Sequence, residues 1–394
     1  MTGIGKTFRT SFGLKDIVQN QLDQSYHSPL IDKIRAAGFS LKTERLEIHL
    51  AKEFGFCYGV ERAVEYAYET RARFPDRRIF LTNEIIHNPR VNAELQGMGV
   101  KILAGDASRS GITEKDVVIM PAFGVPVEAL REFQKKHCVI VDTTCGSVMS
   151  VWRRVEAYSA DGFTSVIHGK YDHEETRATC SRASKYLVVK DQEQAEQVCG
   201  YIKEAGTSAP KALAGRRDLF LEKFKDACSE GFDPDKDLEK IGFANQTTML
   251  SRESIEISEM LREALRVRYG DGELPGRFRH FDTICSATQD RQDAIRKLGE
   301  KKMDVILVIG GYKSSNTGHL AEIASAFCPA YHVEDASSII SREKIRHKKT
   351  GARKALETSG WLPAGEIKVG ITAGASTPNR LVEEVIQRLI DISG

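Results

Sequence analysis

Three cysteines in this chain share one sequence setting, and that setting constrains the fold more than any other feature. Cys57, Cys145 and Cys285 each follow a short apolar run typical of a β-strand, and each precedes a segment with helical periodicity. Two of them end nearly identical tetrapeptides, Asp-Thr-Thr-Cys and Asp-Thr-Ile-Cys. Because strands that alternate with helices are typical of parallel sheets, the chain is predicted to fold into repeated α/β units.

The same setting indicates what the three thiols can do. The positive end of a helix dipole favours a thiolate, the form of cysteine that binds metals. Cys57 and Cys145 are 88 residues apart and Cys145 and Cys285 are 140 apart, so only tertiary structure could join them. Three thiolates would leave one iron of a 4Fe-4S cluster without a protein ligand. The alternative, that cysteines are small buried apolar residues, is preferred for the other five. These are Cys138, Cys180, Cys199, Cys228 and Cys328.

Composition excludes several classes of protein. The 394 residues suit two or three α/β domains, and 57 basic against 55 acidic residues exclude a globally polycationic nucleic-acid-binding protein. No apolar run is long enough to span a bilayer, and no signal peptide is recognisable. We therefore expect a soluble protein of the bacterial cytoplasm, without nucleic-acid or membrane partners. Residues 1–14 are basic and hydroxyl-rich, as in organelle transit peptides, which makes the plastid stroma the alternative.

The order of predicted strands and helices divides the chain into consecutive segments. They are an N-terminal extension (1–45), a first α/β domain (46–145), a second (146–283) with an insertion near 207–240, a third (284–372) with an insertion near 340–364, and a C-terminal segment (373–394) that is expected to close the ligand site. Ligand sites are expected at the C-terminal ends of the parallel strands.

Two glycine-containing turns are candidate anion sites. Each follows a predicted strand and precedes a helix, where backbone and hydroxyl donors can hold an oxyanion. Their polar residues are Ser314, Ser315 and Asn316 in the first turn, and Ser376 and Thr377 in the second. Ordinary helix capping is the alternative for either turn alone. Neither turn matches the phosphate loop of nucleotide-binding proteins, and no dinucleotide fingerprint is present, so together the turns suggest a diphosphate without a nucleotide.

A third candidate group surrounds His173 and Glu175. A histidine that opens a helix can touch a bound anion while a neighbouring carboxylate exchanges protons. Thr247 and the distant His87 lie in further polar segments that could join them. The alternative is Asp172 as a helix cap followed by acidic residues in the first turn.

These segments together resemble the 4-hydroxy-3-methylbut-2-enyl diphosphate reductase family from about Leu46 to the C-terminus. The segments that carry the resemblance follow one another in that family's order. They are Phe-Gly-Phe-Cys-Tyr-Gly-Val (54–60), Asn-Glu-Ile-Ile-His-Asn (83–88), Asp-Thr-Thr-Cys (142–145), His-Glu-Glu-Thr (173–176), Asn-Gln-Thr-Thr (245–248), Gly-Gly (310–311) with Ser-Ser-Asn (314–316), and Ala-Ser-Thr-Pro (375–378).

The resemblance implies three similar α/β domains in a trefoil-like arrangement around a central 4Fe-4S cluster. Cys57, Cys145 and Cys285 would each supply one ligand, and the fourth iron would bind the allylic hydroxyl of the substrate. The implied reaction is a reductive dehydroxylation that gives isopentenyl and dimethylallyl diphosphate, the last step of the methylerythritol phosphate route. A ferredoxin- or flavodoxin-type protein would donate the electrons.

The resemblance also implies roles for the polar residues. The substrate diphosphate would lie among residues of four segments, with Ser315 nearby. These residues are His87, His173, Ser314, Asn316 and Ser376. Glu175 would deliver protons, and Thr247 would position the substrate hydroxyl.

One position departs from the family pattern. Many members carry a further diphosphate-binding histidine where this chain has Phe123, and a phenyl ring cannot donate to phosphate. The same substitution and the long N-terminal extension resemble the longer cyanobacterial and plant members. We hypothesise that His168 or Lys170, at the end of a neighbouring strand, supplies the missing donor.

Two other functions are compatible with the residues. A redox-neutral iron–sulfur hydro-lyase would use the same open iron without external electrons. A non-catalytic metal-containing protein could bind nucleic acid through the basic stretch 342–354, although that stretch is more typical of a solvated face or of a docking surface for an acidic electron donor.

Overall fold

The computed structural model describes residues 6–103, 109–205, 210–281 and 283–393, without the side chains of residues 210–214. Residues 1–5 of the predicted extension, part of the predicted insertion near 207–240, and Asp282 before Cys285 lie outside the described residues. No described helix has both the length and the apolar character needed to cross a membrane.

Strands and helices alternate along the chain, as the sequence predicts. The strands are β1 (Thr7–Phe8), β2 (Ser40–Lys42), β3 (Leu46–Leu50), β4 (Ile79–Leu81), β5 (Val100–Ile102), β6 (Val117–Met120), β7 (Val139–Asp142), β8 (Thr164–His168), β9 (Tyr186–Val189), β10 (Ile241–Asn245), β11 (Phe278–His280), β12 (Val305–Ile309), β13 (Ala330–Val333), β14 (Lys344–His347), β15 (Leu356–Ser359) and β16 (Ile367–Ala373). The helices are α1 (Lys15–Tyr26), α2 (Pro29–Ala36), α3 (Tyr58–Arg73), α4 (Pro89–Gly97), α5 (Val127–Lys135), α6 (Gly146–Ala160), α7 (Glu174–Cys180), α8 (Gln192–Glu204), α9 (Pro210–Phe224), α10 (Pro234–Asp237), α11 (Ser251–Tyr269), α12 (Leu274–Arg277), α13 (Ser286–Gly299), α14 (Ser315–Ser325) and α15 (Asn379–Ser393).

The described strands form three larger sheets and one hairpin. The first sheet has the order β1-β7-β6-β4-β5, the second β11-β10-β8-β9, and the third β13-β12-β16-β3-β2. Within these three sheets all neighbouring strands are parallel except β2, which runs antiparallel to β3, and the hairpin consists of the antiparallel strands β14 and β15. The central strands β8, β10 and β12 are buried along their whole length, as expected when helices cover both faces of a parallel sheet. This confirms the predicted α/β fold class.

The described chain forms two compact units. One unit contains residues 1–122, 136–143 and 286–394, and therefore the first and third sheets; the other contains residues 123–135 and 144–285, and therefore the second sheet. Each sheet has its own apolar core. Ile48, Leu307 and Val369 lie in that of the third sheet, for example, and are fully buried.

The N-terminal residues are part of this architecture. β1 extends the first sheet, where Thr7 pairs with Ile140, and β2 pairs with β3 at the edge of the third. Arg9 forms a 3.0 Å ion pair with Asp142, three residues before Cys145. The segment predicted as an N-terminal extension therefore contributes two edge strands to these sheets.

Each of the three cysteines lies where the chain leaves one sheet and begins the helix that covers another. β3 belongs to the third sheet, through β16, although the sequence places it at the start of a first domain; α3, after Cys57, packs on the first sheet. β7 of the first sheet leads through Cys145 to α6, which packs on the second. β11 of the second leads through Cys285 to α13, which packs on the third.

One predicted strand ends earlier than expected. The apolar pattern suggests a strand at residues 280–283, but β11 ends at His280. Beyond it, the Thr283 hydroxyl oxygen accepts a 2.7 Å hydrogen bond from the backbone N–H of Asn245. At this point a side-chain hydroxyl, and not a backbone carbonyl, accepts the hydrogen bond from the end of β10.

Candidate functional site

The three cysteines that the sequence singles out occupy equivalent local positions. Cys57 and Cys145 are the N-cap residues of α3 and α6, and Cys285 directly precedes the first residue of α13. All three are partly exposed and none forms a disulfide. Each thiol therefore lies at a helix N-terminus within reach of a ligand.

The buried cysteines have a different environment. Burial raises the pKa of Cys138 to about 11 and that of Cys180 and Cys199 to about 12. At neutral pH these thiols are protonated and apolar in character, so they are poor metal ligands. Three of the five cysteines expected to be buried are therefore buried, whereas Cys228 and Cys328 are partly exposed, although burial still raises the pKa of both thiols.

Backbone contacts in the first unit fix the loop that carries Cys57. The Gly55 and Cys57 N–H groups donate to the carbonyl oxygens of Ala373 (3.4 Å) and Ala375 (3.2 Å) at the end of β16. Arg291 of α13 donates to the Gly55 carbonyl oxygen at 2.7 Å. Gly55 has a φ of +82°, and a Cβ there would lie 2.8 Å from the Asn379 side chain, so only glycine fits.

The two predicted anion-binding turns pack against each other. The Asn316 side-chain oxygen accepts a 3.0 Å hydrogen bond from the Ala375 N–H, and the Ser376 hydroxyl lies 3.5 Å from that of Ser314, the N-cap of α14. A Cβ on Gly374 would lie 1.9 Å from the Thr317 hydroxyl, so glycine is required where the turns meet. The two turns therefore form one continuous polar surface.

His87 joins this surface through its backbone. The Ser376 hydroxyl donates to the His87 carbonyl oxygen at 3.4 Å, and Asn88 donates to the Ser376 carbonyl oxygen at 2.9 Å. We call these residues the polar turn cluster: His87, Ser314, Ser315, Asn316 and Ser376. The Cys57 loop reaches the same turn, since its N–H bonds the residue before Ser376.

Beside the polar turn cluster, the carboxylate of Glu84 contacts two basic side chains. His87 Nδ1 donates to Glu84 at 3.1 Å, and Lys313 Nζ contacts the other Glu84 oxygen at 3.0 Å. The hydrogen bond from His87, followed by that from Lys313, lowers the pKa of Glu84. The carboxylate therefore stays ionised and fixes the orientation of the imidazole.

A buried histidine behind the first turn makes stability depend on pH. His332 on β13 donates from Nε2 to the Gly310 carbonyl oxygen at 2.9 Å, and burial lowers its pKa to about 4. The unfolded chain binds this proton near pH 6.5 and the folded chain does not, so stability should fall as pH falls from about 6.5 to about 4. We expect a loss of about 2–3 kcal/mol between pH 7.5 and 4.5 from this group.

Urea unfolding of the parent and of His332→Gln at these two pH values tests this prediction. Because the variant lacks the titrating group, its free energy of unfolding should fall by about 2–3 kcal/mol less than that of the parent between pH 7.5 and 4.5. Equal pH dependence in the two proteins would contradict it.

In the second unit, a hydrogen-bonded chain connects the predicted proton donor to a predicted cluster ligand. Glu175 is 3% exposed, and its Oε1 accepts a 2.6 Å hydrogen bond from the Thr247 N–H. The Thr247 carbonyl oxygen in turn accepts a 3.3 Å hydrogen bond from the Cys285 N–H. The backbone N–H and carbonyl groups of Thr247 thus link the Glu175 side chain to the backbone of Cys285.

Gln246 is a residue whose role the sequence does not reveal. It is 1% exposed, and its Oε1 accepts hydrogen bonds from the Lys170 N–H and the Thr176 hydroxyl, both at 3.1 Å. Its Nε2 donates to Thr248 at 2.8 Å. Gln246 therefore links the loop after β8 to the loop after β10; its signals in the sequence are its place beside Thr247 and within the segment Asn-Gln-Thr-Thr (245–248).

Phe123 stands at the position that departs from the family pattern, and the residues considered with it have different environments. The ring of Phe123 packs edge-to-face on that of His173, with 6.2 Å between centroids. His168 is fully buried; its Nδ1 is hydrogen-bonded to Ser254 at 2.8 Å, and its Nε2 lies 3.6 Å from Glu253. These contacts favour a structural role for His168. Lys170 is partly exposed.

Comparison with known proteins decides the family. Residues 48–390 match the family described as LytB protein. The chain belongs to the LytB protein family. A relative from Gloeobacter violaceus is 48% identical over 98% of this chain and 93% of its own, and one from Synechococcus sp. is 48% identical over 98% and 95%. Both are named 4-hydroxy-3-methylbut-2-enyl diphosphate reductase, the family predicted from the sequence, which is thereby confirmed.

Solved structures share the fold of this LytB protein. One, of (E)-4-hydroxy-3-methyl-but-2-enyl diphosphate reductase, described as the terminal enzyme of the non-mevalonate pathway, has a TM-score of 0.51 and 25% identity and covers 88% of this chain and 100% of that one. The other, of the Plasmodium falciparum reductase, has a TM-score of 0.61 and 19% identity and covers 88% of each chain.

Proposed function

We propose that this LytB protein reduces 4-hydroxy-3-methylbut-2-enyl diphosphate to isopentenyl diphosphate and dimethylallyl diphosphate. The reaction consumes two electrons and two protons and releases the allylic hydroxyl as water. The observation that carries the proposal is the chain from Glu175 through Thr247 to Cys285, because it joins an acid to a metal-ligand candidate. The names of relatives at 48% identity support it.

The donor set fits an iron–sulfur cofactor. Cys57, Cys145 and Cys285 are partly exposed thiols at helix N-termini, and none is consumed in a disulfide. Three thiolates suit a 4Fe-4S cluster with one iron left open to the substrate. When bound, the cluster would supply electrons and a Lewis-acidic iron.

The polar turn cluster is our proposed diphosphate site. Ser314 and Ser315 open α14, whose N-terminus favours an anion. The Ser315 hydroxyl is buried, and within the described residues it has no hydrogen-bond partner. A buried hydroxyl without a partner costs about 1–3 kcal/mol, so a phosphate oxygen that bonds it would be stabilised.

Asn316, Ser376 and His87 complete this site. The Asn316 side-chain oxygen is already used by Ala375, which directs its amide donors elsewhere. The Ser376 hydroxyl and the imidazole of His87 add further donors. His173 is also a proposed diphosphate-binding residue, and its Nδ1 accepts a hydrogen bond from the Glu175 N–H at 3.2 Å, so the ring is held in place.

Glu175 is the proposed proton donor. Its Oε1 is held by the Thr247 N–H, so the carboxyl group keeps one orientation while the other oxygen carries the proton. Its burial excludes bulk water from the exchange, which protects an allylic species from unwanted reactions. The Thr247 side chain, on the next residue of the hydrogen-bonded chain, would position the substrate hydroxyl.

Lys170 is the better candidate for the donor that Phe123 cannot supply. We expect Lys170→Ala to raise KM for the substrate about tenfold with little change in kcat, because a lost phosphate contact weakens ground and transition states alike. His168→Gln should leave KM near the parent value, because His168 is buried against Ser254. Steady-state kinetics would contradict this if Lys170→Ala kept the parent KM.

An anaerobic assay with reduced methyl viologen tests the proposed function. We expect two dye molecules oxidised per molecule of product, with both diphosphate products detected. Loss of substrate without dye oxidation, and without either of these two products, would instead indicate the hydro-lyase. RNA binding through residues 342–354 with no turnover would indicate the non-catalytic alternative.

A further inference from the structure

The insertion at residues 340–364 carries a concentrated positive charge. It contains seven basic and two acidic residues, a net charge of +5 without histidine, whereas the whole chain has a net charge of +2. The remainder of the chain therefore has a net charge of −3. We call residues 340–364, which include the β14–β15 pair, the basic hairpin.

Most of this charge is exposed and unneutralised. Lys344 and Arg346 share one carboxylate, Glu357, at 2.5 and 3.3 Å. Lys349, Arg353 and Lys354, between the two strands, are exposed. These three have no ion-pair or hydrogen-bond partner for their side chains within the described part of the chain. An ordinary solvated face alternates its signs, and this one does not.

The hairpin is a rigid part of the first unit. Trp361 is 2% exposed and donates to the Ser341 carbonyl oxygen at 3.1 Å. The ring of Tyr331 on β13 packs against His347 and Trp361, with centroids 4.8 and 5.8 Å apart. Such packing anchors the hairpin on the sheet, so the backbone that carries the basic residues is held in place.

One lysine connects the hairpin to the proposed diphosphate site. Lys348 Nζ donates to the Tyr312 carbonyl oxygen at 2.8 Å, and Tyr312 lies two residues before Ser314. The Lys348 N–H also bonds the His332 carbonyl oxygen at 3.0 Å. The basic surface is thus attached directly to the turn that begins α14.

We propose that the basic hairpin is the docking surface for a small acidic protein that carries one electron at a time. The inference rests on the proposed function, because a reduction that consumes two electrons needs an external donor. Complementary charge chiefly increases the rate and specificity of such encounters. Nucleic acid fits less well, because the aromatic rings of the hairpin face its core, and bases bind single-strand sites by stacking on exposed rings.

Charge-reversal variants distinguish an effect on the docking of the donor protein from an effect on the reaction itself. The test variant is Lys349→Glu/Arg353→Glu/Lys354→Glu. The control, Lys101→Glu/Lys115→Glu/Lys135→Glu, changes the net charge equally at exposed lysines of the rest of the chain. Turnover is measured with a reduced plant-type ferredoxin and, separately, with reduced methyl viologen, a dye that needs no protein dock.

We expect the hairpin variant to raise KM for ferredoxin about tenfold or more and to lose most of its salt dependence, while viologen-driven turnover stays within about twofold of the parent. The control should keep the parent KM for ferredoxin. An unchanged KM in the hairpin variant, or an equal rise in the control, would overturn the proposal.

Binding measurements keep the two proposals distinguishable. If the parent turned over with neither donor, the proposed function would fail, but calorimetric titration with ferredoxin at low salt would still test the dock. Binding that the hairpin variant loses and the control keeps would support it. Equal ferredoxin binding by all three proteins, or hairpin-dependent binding of RNA without ferredoxin, would overturn it.

Discussion

Cys145→Ser is expected to remove the iron–sulfur chromophore and essentially all reductase activity. Cys145 is the N-cap of α6 and is partly exposed, so its thiolate is placed to bind metal. A serine hydroxyl is a harder, more weakly acidic ligand and cannot replace it at neutral pH. The visible absorbance and the iron and sulfide content of anaerobically purified protein measure the loss. Activity should fall by more than about 10³-fold, since the electrons and the Lewis acid are lost together.

Cys180→Ser is the matched control. This thiol is buried, its pKa is raised to about 12, and it packs in the core of the second sheet. The variant should keep its cluster while losing some stability. A Cys145→Ser protein with the full brown chromophore would remove Cys145 from the ligand set.

Glu175→Gln is expected to keep the cluster and bind substrate but turn over about 10²–10⁴-fold more slowly. Glutamine retains the oxygen that accepts the Thr247 N–H, so the local structure should survive. It cannot release a proton, however, so only proton delivery is removed. The kcat of the variant with reduced viologen, together with its spectrum, measures the effect.

Glu174→Gln provides the comparison for this prediction. Glu174 is the neighbouring first-turn carboxylate of α7, and it is partly exposed where Glu175 is buried. The Glu174→Gln variant should retain most of the parent activity. If Glu175→Gln turned over at the parent rate, Glu175 would have no part in proton transfer.

Local sequence pattern was sufficient to predict most elements of the fold. The sequence pattern predicts a strand at residues 46–50, a strand at 304–309 and a helix at 379–392, and the structure has β3 at Leu46–Leu50, β12 at Val305–Ile309 and α15 at Asn379–Ser393. These segments combine unbroken apolar runs or clear helical periodicity with glycine or proline at their ends, so local physics defines them. The same applies to the three cysteines, whose local setting identified them.

Long-range pairing could not be predicted in this way. Nothing in the pattern of β3 shows that it pairs with β16, more than 300 residues later, and the two-residue β1 gives no signal of its pairing with β7. The sequence places His168 at the end of a strand but does not show whether its side chain is buried. That depends on its packing and its hydrogen bond with Ser254, which is distant in the sequence. The hydrogen bonds of Gln246 likewise depend on tertiary structure.

We propose that Cys57, Cys145 and Cys285 hold one cluster whose fourth iron is open to substrate. Mössbauer spectra of ⁵⁷Fe-labelled, anaerobically prepared protein, recorded with and without 4-hydroxy-3-methylbut-2-enyl diphosphate, test it most directly. The expected result is a cluster in which one iron in four differs from the rest and changes when the substrate is added. Four equivalent irons that do not respond to the substrate would contradict it.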